Sequence, residues 1–186
     1  MQPATQNLRE DHALTAVALR ALGSIAAHVR GGGAFPAADG AILLRYLRDF
    51  VVGVHFRKEG ELLGPAMAMH GTDETAALVG ELMRLQDEAA ELVLSLVMFW
   101  EPDSELTPAE QQGFAQTVDL LKQRLLRVQQ LEEDRLFGLC EREVPLDDRL
   151  GWAADFARLE RERGSAADWQ ARVADVVGRW PAAPDR

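Results

Sequence analysis

The chain has 186 residues, 47% of them hydrophobic, which suits one domain with a real core and an appendage. Its formal net charge of -10 repels phosphate backbones, and its 20 Lys and Arg residues are spread between acids with no basic block, so no nucleic-acid partner is expected. The single cysteine, Cys140, excludes an intramolecular disulfide and fits a cytoplasmic protein, while the absence of a signal-peptide pattern or of about 18 uninterrupted apolar residues argues against export or a membrane span.

β-branched and aromatic residues are sparse, and Ala, Leu, Glu and Arg dominate, so the pattern is helical nearly throughout. Helix one is predicted from about Asn7 to Arg30, with a stripe of Leu8, His12, Ala16, Leu19, Leu22 and Ala26, stopped by Gly31-Gly32-Gly33. Helix two starts near Pro36, carries Leu44, Leu47, Val51, His55, Glu59 and Leu62, and ends or kinks at Gly64-Pro65. Helix three follows His70-Gly71, carries Leu78, Leu82, Gln86, Ala89, Val93 and Leu96, and stops before Glu101-Pro102. Thr107-Pro108-Ala109-Glu110 reads as an N-cap, a first-turn proline and a capping box. Helix four then carries Phe114, Val118, Leu121, Leu125, Val128, Glu132 and Leu136.

Four long amphipathic helices with short or moderate connections predict an all-α, antiparallel up-down four-helix bundle over residues 1–144. Two shorter helices, Asp148 to Arg163 and Ala166 to Arg179, form a C-terminal extension over 145–186, anchored by Trp152, Phe156, Trp169 and Trp180. These anchors allow either a monomer, with the extension packed on its own bundle, or a homodimer. Pro181 to Arg186 should fray. Met67, Met69 and Met83 read as gap fillers, Cys140 as a buried thiol, His28 as an exposed residue near a helix end and His70 as a loop residue.

Several polar residues interrupt otherwise apolar stripes: His12, His55, Glu59, Gln86 and Glu132. Buried unpaired, each costs roughly 1–3 kcal/mol. His55 and Glu59 stand four residues apart, so their side chains point the same way one helical turn apart. An imidazole and a carboxylate so placed can close on one ion between packed helices. His-Glu at that spacing is also an ordinary helix pair, and a lone His on an apolar face is commonly a core residue with a hydrogen-bond partner.

On these residues the chain resembles the hemerythrin-like (HHE) family. The family's helix-one Asp-His or Glu-His pair matches Asp11-His12. Its helix-two His-x-x-x-Glu with a Leu-rich turn and Pro matches His55, Glu59, Leu62, Leu63 and Pro65. Helix four should repeat this pattern, and placing Glu59 on Glu132 superposes Leu63 on Leu136, as in an internal repeat. The resemblance covers about residues 7–142. It departs from the family at Val128, where a helix-four His is expected, and at Gln86, where a helix-three His is expected; a slipped register would put Asp87 or Glu88 there instead.

The resemblance implies that one half-site, His12, His55, Glu59 and Glu132, is intact while the other has lost its histidines. It implies non-haem iron, one or two ions, with manganese or zinc as alternatives, and with Gln86 as a further metal-site residue. The small-molecule ligand would be dioxygen, nitric oxide or peroxide. Two other functions compete: a structural or interaction bundle whose metal site has decayed, and an oxygen-activating oxidase or oxygenase. The sequence leaves open whether the protein is an enzyme. No Ser-His-Asp order, phosphate loop or Cys-x-x-Cys pair is present.

Overall fold

A computed structural model of the chain describes residues 4–96, 99 and 106–181. The described residues fold into six helical rods and contain no strand. We label them α1 (Ala4–Arg30), α2 (37–70), α3 (Asp73–Ser95), α4 (108–143), α5 (Leu146–Arg163) and α6 (Ala166–Arg179). The expected helix end at Glu101-Pro102 and the expected fraying of 182–186 lie outside the described residues.

Local chemistry sets the boundaries. After α1 the chain turns at Gly32, whose φ of +85° only glycine adopts without strain, and Gly33 donates back to the carbonyl of His28. Thr72 caps α3 by accepting from the Thr75 amide. The expected capping box is present at Thr107 and Glu110, and Ser165 and Asp168 form a second one at the start of α6.

Three expectations are corrected. Of the end or kink expected at Gly64-Pro65, the end is absent: α2 continues to His70, with Pro65 in the first turn of an α-helical segment that succeeds a wider π-helical turn, and His70 is the last helical residue, not a loop residue. There the missing proline N–H falls where the bonding pattern is already changing, so it breaks little. Of the three methionines, only Met67 fills the core. Met69 is 78% exposed and Met83 is 36% exposed.

The core is two apolar layers. One is built from Leu19, Leu22 and Ile25 of α1, Leu43, Leu47 and Phe50 of α2, Ala89 and Val93 of α3, and Phe114, Val118 and Leu121 of α4. The other takes Leu8, then Leu63 and Met67, then Leu78, Leu82 and Leu85, then Val128, Leu136 and Phe137. The second layer thus lies towards the N-terminus of α1 and α3 but towards the C-terminus of α2 and α4, so chain direction alternates. Each of these four helices also buries polar residues on its apolar stripe: His12, His55 with Glu59, Gln86 and Glu132. α5 and α6 pack against α1 and α2, with Trp152 and Phe156 in the second layer and Leu159, Trp169, Val173 and Val176 in the first.

Within α1, Thr5–Arg30 is long and apolar enough by length and composition to cross a membrane. Half of its most apolar window is buried in this fold, where its stripe forms core.

Candidate metal centre

The backbone is irregular where the polar residues lie. His55 closes a π-helical stretch, Leu47–His55. Glu59 opens a second, Glu59–Leu63, and Glu132 opens a third, Glu132–Leu136. The bonding shows the wider turn directly: Phe56 N–H reaches the carbonyl of Val51, Gly64 that of Glu59 and Phe137 that of Glu132. Such turns insert an extra residue, rotate the next helical turns to a new face, and concentrate at functional sites. The equal turns at Glu59–Leu63 and Glu132–Leu136 match the internal repeat read from the sequence.

His12, His55, Glu59 and Glu132 are brought together from α1, α2 and α4. One ligand atom from each lies within 4.8 Å of all the others. None of the four is more than 3% exposed. The two imidazole rings meet edge to face with centroids 4.9 Å apart, and Phe137 stacks on His12.

Both histidines are held from behind. His12 Nδ1 lies 2.8 Å from Glu133 Oε1, and His55 Nδ1 lies 3.2 Å from Asp11 Oδ2. Donating Nδ1–H to a carboxylate leaves the Nε2 lone pair free for a metal, and such carboxylates fix ring orientation at metal sites. His12 Nε2 and Glu132 Oε2 are 3.0 Å apart but are not aligned to hydrogen-bond. His12 Nε2, Glu59 Oε1 and Glu132 Oε2 are all buried without a hydrogen-bond partner. Such groups are rare in folded proteins and each calls for a cause, an ion among them.

Gln86 of α3 closes the other side. Its amide nitrogen donates to Glu59 Oε2 at 2.5 Å and to Glu132 Oε1 at 3.1 Å. Each carboxylate therefore has one oxygen satisfied by Gln86 and one orphaned. The alternatives from a slipped register are excluded: Asp87 is exposed and Glu88 pairs with Arg84 and Arg124.

Burial, then the neighbouring charge of Glu132, push the Glu59 carboxyl well above the ordinary carboxylate range. For His12, burial disfavours the cation, but Glu132 and Glu133 outweigh it and raise the pKa. Burial lowers that of His55 despite Asp11. Burial would raise Asp11, yet His55 and Lys58 together hold it below its usual value. Glu59 and His12 are thus held towards their protonated forms, and a cation bound between them would displace those protons.

Sequence reasoning misses three supporting residues. Lys58 is fully buried, with Nζ 2.8 Å from Asp11 Oδ2, 2.8 Å from Asn7 Oδ1 and 2.7 Å from Glu160 Oε1. Phe50 and Phe156 flank the same ammonium. In the sequence, Asp11 stands out only as a neighbour of His12, and Glu133 only as one acid among several. A Lys among core-facing positions between His55 and Glu59 is the available signal for a buried ion pair. The other histidines stand apart: His28 is exposed against Trp180, and His70 pairs with Asp148 at the end of α2. Cys140 is buried, and burial pushes its thiol up to about 11.

A narrow cleft between α2 and α3 reaches the carboxylate side of the site. Leu63, Gly64, Val79, Leu82, Met83 and Leu136 line it, with Glu59 and Gln86 as its polar members. It has room for about one water-sized molecule. The helices approach closely because α2 carries glycines there; a Cβ at Gly60 would meet Met83 Cε at 3.2 Å.

Comparison with known protein families, with curated proteins and with solved structures finds no match.

Proposed function

We propose that this chain is a hemerythrin-like protein: an up-down four-helix bundle, with a C-terminal helical extension, that holds non-haem iron at His12, His55, Glu59 and Glu132. The observation that carries the reading is the set of orphaned, buried atoms His12 Nε2, Glu59 Oε1 and Glu132 Oε2, clustered with His55. Alternating helix direction and the matched π-turns at Glu59 and Glu132 support the bundle and its internal repeat.

Two neutral imidazoles and two carboxylates suit iron, manganese or zinc, and four protein ligands leave iron or manganese a position for a small molecule. A divalent ion there supplies Lewis acidity to such a ligand when bound. The protein's own contribution is to fix the donors, exclude bulk water and restrict access. The cleft at Met83 reaches the carboxylate side of the site, where a small molecule such as dioxygen, nitric oxide or peroxide would approach. The role is then sensing, storage or detoxification.

The Gln86 hydrogen bonds give specific support to the competing reading, a structural bundle that satisfies its own polar groups. Thermal melts of chelator-treated protein with and without added Fe²⁺ under anaerobic conditions decide between them. Ligand at about 100 times its Kd stabilises a fold by about 2.7 kcal/mol. Wild type should gain stability and retain iron, and His55→Ala should lose both. An unchanged melting temperature and iron content in His55→Ala would defeat the metal reading.

A further inference from the structure

We infer that the Gln86 amide takes the place of a second cation, restricting the site to a single ion, and that replacing it admits another. The inference rests on the metal reading above. Glu59 Oε2 and Glu132 Oε1 both point at one nitrogen, Gln86 Nε2. An amide NH2 has two N–H donors, so one side chain satisfies one oxygen from each carboxylate. It does so without bringing a charge. The opposite oxygens, Glu59 Oε1 and Glu132 Oε2, stay orphaned on the His12 side. The carboxylate pair is thus served by a neutral donor on one face and left open to a cation on the other.

Ligands for a second ion are missing as well. Val128 stands four residues before Glu132 as His55 stands before Glu59. It lies in the second apolar layer and offers no lone pair.

Mn²⁺ titration of chelator-treated full-length protein tests the inference, with bound metal counted by equilibrium dialysis and spin coupling read by electron paramagnetic resonance. Wild type should bind about one Mn²⁺ per chain and show an uncoupled spectrum. Gln86→Glu is isosteric, removes the donor and adds an anion. It should bind about two and show a spin-coupled spectrum. Should Gln86→Glu fail to fold even with Mn²⁺ present, Gln86→His/Val128→His carries the same expectation with neutral ligands. Two ions in wild type would overturn the role of Gln86 while sparing the metal reading. So would a single ion in every variant that folds. Binding of neither Mn²⁺ nor, in a parallel anaerobic titration, Fe²⁺ by wild type would overturn the metal reading and this inference with it.

Discussion

The Lys58 ammonium is buried against three oxygens, from Asn7, Asp11 and Glu160. Asp11 in turn orients His55. Breaking a buried ion pair from one side leaves the other charge stranded, so Lys58→Met should destabilise the fold by about 3–5 kcal/mol. Urea unfolding measures this, and a loss below about 1 kcal/mol would mean that the pair is solvated. Glu133 acts differently. It is 44% exposed, so its contribution to folding is small, but it holds His12 Nδ1. Glu133→Gln should weaken metal affinity by about 10–100-fold with little change in the metal-free melting temperature. Equal affinity in the two proteins would show that His12 keeps its orientation without that carboxylate.

At the level of elements, α6 is tied down at its C-terminal end. Asp39 near the start of α2 accepts from Arg179 Nη2 at 2.6 Å, Arg179 Nε at 3.1 Å and Trp180 Nε1 at 2.7 Å. The Arg179 hydrogen bonds, more than burial opposes them, hold the Asp39 carboxyl below its usual range. A carboxyl whose folded pKa is depressed adds stability above its unfolded value, about 3.9, and that stability is lost as pH falls through the folded value. Trp180 fluorescence should therefore stay constant from pH 7 to about 5, then change below about pH 4. Asp39→Asn should abolish that step. A wild-type transition near pH 6 would place its origin elsewhere.

Across the whole molecule, the site is a set of polar residues buried within an apolar interior, and this explains what the sequence could carry. The six helices were legible because their periodicity, glycine stops and capping boxes are local signals; Thr107 to Glu110 and the bounds of α6 were readable before any tertiary contact. His12, His55, Glu59, Gln86 and Glu132 were legible as polar breaks in apolar stripes, and all five are buried. The continuation of α2 past Pro65 was not, because it depends on π-helical turns that have no simple composition rule. Nor were the duties of Lys58, Asp11 and Glu133. Their partners come from other helices, up to 121 residues away for His12 and Glu133. Gln86 shows the limit most sharply: its position on the stripe was readable, whereas the direction of its amide depends on where two other helices place their carboxylates.

Whether the buried cluster of His12, His55, Glu59 and Glu132 is a metal site can be read from anomalous diffraction by crystals grown with Fe²⁺ or Mn²⁺. One anomalous peak is expected inside the protein, bounded by His12 Nε2, His55 Nε2 and the orphaned oxygens of Glu59 and Glu132, with Gln86 still bonded to both carboxylates. A protein interior without any such peak, in crystals grown at millimolar metal, would contradict it and leave a helical bundle whose buried polar residues serve only one another.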